Sequence, residues 1–162
     1  MKTLLLMRHG KSDWDAVYDT DHNRPLNRRG VRSARAMGRV LSDQDLAPDL
    51  VVTSSAVRAK TTAQLAVEAG RWDCDIRIEA RLYGSGPDTA VEIAARTPEH
   101  VDRLLLVGHQ PTWSTLVSAL TGEKVEMKTA TVAVIEFEFP GWSAMETGSG
   151  RLSGIYQPRD YL

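Results

Sequence analysis

A three-layer α/β/α sandwich around a mostly parallel sheet is the fold class this sequence predicts. Two short, strongly apolar runs, residues 3–7 and 101–107, read as strands buried on both faces. Segments with apolar residues at helical spacing alternate with these and weaker strands, and such alternation packs helices onto both sides of a parallel sheet.

The elements follow in order. The run 3–7 stops at Arg8-His9-Gly10, a strand followed by a turn. Residues 13–25 are polar and rich in Asp, which predicts a surface loop. From Asn27, an N-cap residue type, Val31, Ala34, Met37 and Leu41 recur at helical spacing, giving an amphipathic helix to about Asp43. Leu50, Val51 and Val52 form a second buried strand, broken by Ser54-Ser55. A helix over 56–69 carries Ala59, Ala63 and Ala66, with Gly70 as its expected C-terminal stop. Residues 76–78 are a weak third strand, and Pro87 opens a helix with Val91 and Ala94. The run 101–107 halts at Gly108-His109-Gln110-Pro111. After it, Trp113, Leu116, Val117 and Leu120 fall at i, i+3, i+4 and i+7 of a helix. The β-branched and aromatic stretch 131–139 predicts a strand, paired with 152–156 across a Gly-rich segment.

No linker, repeat or low-complexity tract divides the 162 residues, so residues 1–162 are expected to form one domain. A formal net charge of -1 offers no global steering toward nucleic acid or anionic membrane, so an anion site must come from local clustering of Arg and His. A single cysteine, Cys74, leaves no internal disulfide and points to a reducing compartment. The apolar residues before Arg8 are too few for a signal h-region or a membrane span, and a cytoplasmic location is expected.

In an open α/β sheet, ligands bind beyond the carboxyl ends of the strands. Arg8 and His9 follow the first strand, Ser54, Ser55 and Arg58 the second, and His109 the strand at 101–107. Three distant segments would thus bring two guanidinium groups and two imidazoles to one sheet edge, a pocket for a tetrahedral anion. Taken singly, each residue reads more simply: a loop charge, a histidine capping a carbonyl, a turn. Their common placement at strand ends is what favours a site.

Arg8-His9-Gly10-Lys11-Ser12, then Arg58 within the segment 54–63, then Gly108-His109, resemble the histidine phosphatase superfamily, with its phosphoglycerate mutase-like fold. The short length and Arg24-Pro25-Leu26-Asn27-Arg28-Arg29-Gly30 are similar to its SixA-type phosphohistidine phosphatase branch. The resemblance runs from Met1 to about Leu120, and it implies the following chemistry. His9 attacks phosphorus and becomes a phosphohistidine that water hydrolyses, its other ring nitrogen being held protonated by an acceptor such as a backbone carbonyl. Arg8 and Arg58 hold the non-bridging oxygens, and His109 completes the cradle. Ser12, by its hydroxyl, and Gln110, by its backbone N–H, are candidate phosphate contacts; either could equally be a local turn residue.

Two positions depart from the mutase pattern. Asp15 stands where a phosphate-binding Asn is usual, and is expected to turn away or accept a hydrogen bond from an Arg. Gly84, in Arg81-Leu82-Tyr83-Gly84, stands where the mutases carry a Glu general acid. An alkoxide leaving group needs a proton, so this argues for a phosphoramidate or an activated ester as substrate. Asp19, Asp21 and Glu79 are alternative donors, more simply read as solvated loop charges, and His22 and His100 as surface loop residues. No cofactor or metal is implied. The partners expected are a phosphorylated protein or a small phosphorylated metabolite, with no nucleic acid or membrane, and oligomeric state is left open.

Rivals are weaker. Five residues intervene between a cysteine nucleophile and its arginine in cysteine phosphatases, and from Cys74 that position is Ala80. A Gly-x-x-x-x-Gly-Lys-Ser/Thr loop is absent, and His9, His22, His100, His109 and Cys74 form no close ligand pair. The alternative from another class is a non-catalytic module that binds a phospho-ligand on the same fold, although mere binding has no need of the nucleophile His9.

Overall fold

A computed structural model describes residues 1–162. In chain order the elements are β1 (Lys2–Arg8), α1 (Arg28–Asp43), β2 (Leu50–Thr53), α2 (Val57–Gly70), β3 (Asp75–Ile78), α3 (Pro87–Ala95), β4 (Arg103–Gly108), α4 (Thr112–Thr121), β5 (Val132–Phe137) and β6 (Arg151–Tyr156). The six strands form one sheet in the order β3-β2-β4-β1-β5-β6. The first four in that order run parallel, while β5 pairs antiparallel with β1 and β6 antiparallel with β5.

Strand periodicity explains the three layers. Alternate residues of a strand face opposite sides, so Leu4 and Leu6 of β1 join Ala90 and Ile93 of α3 and Trp113 and Leu116 of α4 in one apolar cluster. Leu5 and Met7 point the other way, into a second cluster with Met37 and Leu41 of α1 and Ala59, Ala63 and Ala66 of α2. The continuous apolar runs in β1 and β4 are therefore the mark of strands covered on both faces.

Helix boundaries follow local chemistry. Asn27 caps α1 by accepting from the Gly30 amide at 2.8 Å, and Pro87 occupies the first turn of α3, where its missing N–H costs nothing. β5 is shorter than the expected 131–139, and two further boundaries differ for a local reason. Gly70 lies inside α2 rather than stopping it, and Arg71 takes the left-handed turn at φ 56°. Glycine is required at position 70 because a Cβ there would meet the Trp72 ring at 2.3 Å and the Gly38 carbonyl at 2.6 Å. β4 begins at Arg103 rather than Val101, whose carbonyl is taken by Lys2 Nζ at 2.9 Å and Trp142 Nε1 at 2.7 Å.

The polar stretch 13–25 is a loop whose ends meet. The Asp13 amide donates to the Pro25 carbonyl at 2.8 Å, and the Asn27 amide to the Lys11 carbonyl at 2.9 Å. It is less superficial than its composition predicts, because Arg24 is buried. Cys74 is a free thiol. No helix is long and apolar enough to cross a membrane.

Candidate active site

Parallel pairing brings the carboxyl ends of β2, β4 and β1 side by side, and each end delivers a reactive segment. The His9 amide donates to the Gly108 carbonyl at 3.0 Å and the Ser54 amide to the Val107 carbonyl at 3.0 Å, so the ladder holds all three chain exits in register. Thr62, fully buried in α2, ties the β1 exit to Arg58: its Oγ1 accepts from the Gly10 amide at 3.0 Å and donates to the Arg58 carbonyl at 2.7 Å.

These exits open into a cleft of about 1040 Å³ whose wall includes Arg8, His9, Ser12, Arg58, His109 and Gln110. All six residues expected from sequence are thus brought together. Five cationic side chains line the cleft, Arg8, Lys11, Arg24, Arg58 and Lys128, against the single carboxylate of Asp21. This local excess makes an anion site on a chain whose net charge is near zero.

His9 and His109 face each other with ring centroids 5.2 Å apart. His9 Nδ1 lies 2.7 Å from the Gly10 carbonyl oxygen, which can only accept, so Nδ1 carries the proton and Nε2 keeps the lone pair. Burial pushes the His9 imidazole down to about 3; the Gly10 bond works against this, and His109, Arg58 and Arg8 add to it. Burial, then Arg58, hold His109 down at about 4. Both rings are neutral at pH 7. His109 Nε2 shares a hydrogen bond with Ser54 Oγ at 2.8 Å.

Arg8 Nη1 donates to the Met127 carbonyl at 3.1 Å, while the Nε atoms of Arg8 and Arg58 are buried without partners. Arg58 reaches Asp21 twice, through Nη1 to the carbonyl at 2.7 Å and Nη2 to Oδ2 at 3.1 Å. Asp21 also accepts from Tyr83 Oη at 2.8 Å and forms an ion pair with Arg24. The Tyr83 bond, followed by the Arg58 charge, holds the Asp21 carboxyl at about 2, so it is ionised and has no proton to give at pH 7. Tyr83, its own pKa raised by that bond, stands edge-on to His22 at 4.8 Å and to His109 at 5.6 Å.

Several expectations are refined. Ser12 is buried, and its Oγ accepts from Arg24 Nε at 3.0 Å rather than from local backbone. Gln110 uses its side chain, which accepts from the Ser114 amide at 2.8 Å and braces the first turns of α4. Asp15 is exposed and lies outside the cleft wall. Gly84 lies on the wall at φ 78° with open space where a side chain would begin, so nothing substitutes there for a Glu. Asp21 is exposed and His22 half-buried, as loop residues are, but both side chains have partners. Asp21 bridges two arginines and a tyrosine, and His22 Nε2 bonds Ser55 Oγ at 2.9 Å. Glu79 pairs with Arg81 at 3.1 Å, away from the cleft, and His100 is exposed as expected. No group of three or more His, Cys, Asp or Glu side chains is placed to hold a metal ion.

Sequence reasoning missed Arg24, Asp21 and Tyr83 as wall residues. The segment beginning at Arg24 was a signal for the first. The other two lie 62 residues apart and meet only in the folded chain, where Tyr83 Oη donates to Asp21. Trp14, exposed on the same loop, lies 3.5 Å from the Arg24 guanidinium, ring centroid to carbon.

The chain is similar to known proteins over most of its length. A family profile described as histidine phosphatase superfamily (branch 1) matches residues 4–84. An uncharacterized protein of Mycobacterium tuberculosis is 35% identical over 165 residues, covering 94% of this chain and 100% of that protein. The structure of a candidate phosphohistidine phosphatase SixA from Nakamurella multipartitia superposes with a TM-score of 0.85 at 28% identity, over 97% of this chain and 96% of that one. Another candidate SixA, from Agrobacterium tumefaciens, gives 0.82 at 27% identity, over 97% and 98%.

Proposed function

This chain belongs to the histidine phosphatase superfamily and is a hydrolase with the phosphatase chemistry of that family; from that premise we propose that it works through a covalent phosphohistidine on His9. The observation that carries the reading is the 2.7 Å bond from His9 Nδ1 to the Gly10 carbonyl, which leaves Nε2 with its lone pair in an arginine-lined cleft.

In this mechanism His9 Nε2 forms a bond to phosphorus as the bond to the leaving group breaks. Water then attacks the same phosphorus, releasing inorganic phosphate and restoring the imidazole. Arg8 and Arg58 neutralise the equatorial oxygens, and the unpartnered Nε atoms of both are donors the free protein does not use. His109 is neutral at rest; the negative charge of a bound phosphate raises its pKa toward protonation and so adds a donor.

Phosphohistidine is the substrate class this site favours, on a protein or in a small metabolite. A leaving imidazole needs little help once protonated by solvent, whereas an alkoxide needs a positioned acid. Gly84 offers none, and Asp21 is ionised. The related SixA candidates, described as phosphohistidine phosphatases, support the same choice. A purely binding module would gain nothing from a neutral nucleophile with a fixed tautomer.

The test is rapid quenching with a phosphohistidine protein and with p-nitrophenyl phosphate. An acid-labile, base-stable phosphoenzyme should accumulate and be absent from a folded His9→Ala variant, which has no turnover. Wild-type-like turnover in that variant would end the proposal.

A further inference from the structure

Beside the cleft lies a second cavity of about 330 Å³, which shares Lys11, Lys128 and Thr129 with it. Its far wall is built by Arg29 of α1 and by Gln157 and Arg159, which follow β6. Four cationic side chains, all exposed, line it, Lys11, Arg29, Lys128 and Arg159, and no carboxylate side chain does. Only a weak pair touches the set, Arg159 Nε standing 4.0 Å from Asp160 Oδ1 with both groups largely exposed. Like charges gathered in excess repel one another, and an anion among them lessens that repulsion.

A second observation, independent of charge, points the same way. Thr131 lines this cavity and is wholly buried, yet its Oγ1 has no hydrogen-bond partner. Buried hydroxyls are ordinarily paired. Gln157, also on the wall, has an unpartnered buried Oε1, and a half-turn of its amide exchanges that oxygen for an NH2 donor. Unpartnered neutral polar side chains thus share the wall with the cations.

We propose that this cavity is a second anion subsite, holding a further phosphate or carboxylate of a substrate whose phosphoryl group lies against His9. Anion binding there stands by itself, and only the link to substrate rests on the phosphatase mechanism. Lys11 and Lys128, on both walls, make the two sites neighbours along one ligand, so the substrate class is a phosphorylated molecule with a second acidic group nearby.

Equilibrium dialysis of the full chain against inorganic phosphate at low ionic strength tests the subsite. Wild type should bind two equivalents, Arg58→Ala one, and Arg29→Ala/Arg159→Ala one. Thr131→Val, which keeps the side-chain volume, should weaken the second equivalent severalfold without lowering the urea midpoint. A single wild-type equivalent, lost in Arg58→Ala and kept in the double variant, overturns the subsite and leaves the phosphatase mechanism standing. A single equivalent lost only in the double variant upholds the subsite and sinks the cleft assignment.

Kinetics identify the source of the second group. The double variant should raise KM about tenfold for a substrate with the extra acidic group, while p-nitrophenyl phosphate turnover stays within about twofold. An increase for fructose 1,6-bisphosphate over fructose 6-phosphate assigns the group to a small metabolite. An increase for an acidic over a neutral phosphohistidine peptide assigns it to a protein. Equal changes within both pairs overturn the link to substrate.

Discussion

His9 shows how one hydrogen bond sets chemistry at the scale of a residue. Its ring is neutral because burial disfavours the imidazolium, and its tautomer is set because the Gly10 carbonyl can only accept. Nitrogen NMR should therefore report a ring protonated at Nδ1 alone from pH 8 to below pH 5; titration near pH 6.5 would contradict the burial argument. Asp21 is the residue-scale counterpart on Arg58. Asp21→Asn weakens the hold on that guanidinium while removing a charge that repels phosphate. We expect kcat to fall about tenfold, the equivalent of roughly 1.4 kcal/mol, while the inhibition constant for inorganic phosphate does not rise. A rise would mean Asp21 serves binding rather than positioning. Thr62→Val leaves the Gly10 amide buried and unpaired, a cost of about 1–3 kcal/mol that urea unfolding would register.

Between elements, the contact of α1 with α2 and with the β1 exit is set by close backbone approach. A Cβ on Gly38 would stand 2.2 Å from the Ala66 carbonyl oxygen, and one on Gly30 2.2 Å from the Lys11 carbonyl oxygen. Both obstacles are backbone, so neither can rotate away. Ala is preferred over Gly in a helix by roughly 1 kcal/mol, yet overpacking costs about 1–3 kcal/mol or more, so both alanine variants should lose stability. Their activities should part company. Gly30→Ala pushes on Lys11, two residues from His9, and should lower kcat, whereas folded Gly38→Ala should retain it. Equal kcat values in the two would show that α1 does not position the nucleophile.

For the whole molecule, sheet order decides where charge collects. Because β2, β4 and β1 are parallel neighbours, their carboxyl ends share an edge, and two neutral imidazoles, His9 buried and His109 half-buried, stand among guanidinium groups there. Histidines in the unfolded chain titrate near 6.5, against about 3 and 4 for His9 and His109 in the native state. Unfolding thus takes up protons in that window, and stability present above pH 6.5 is lost as pH falls through it. The urea midpoint should fall between pH 7 and 4.5, and fall less in a His9→Gln/His109→Gln variant; parallel curves would refute the assignment. The contribution of Asp21, held at about 2, is lost only below about pH 4, outside that interval. Turnover should persist in EDTA, and a loss restored by zinc would point to metal chemistry.

The runs at 3–7 and 101–107, the helical spacing after Asn27 and Pro111, and the motifs around Arg8, Arg58 and His109 were all legible in the chain, because period and strand-end position are local properties. They determined the layered sandwich, the cationic strand ends and the family resemblance. Tertiary structure alone decided that Arg24 is buried, that Asp21 joins Arg58 to Tyr83, and that Arg29 and Arg159, some 130 residues apart, share a cavity. The reason is physical: in the chain a charge in a polar loop looks the same whether it meets water or another side chain. Only the folding of distant segments against one another at the sheet edge separates the two.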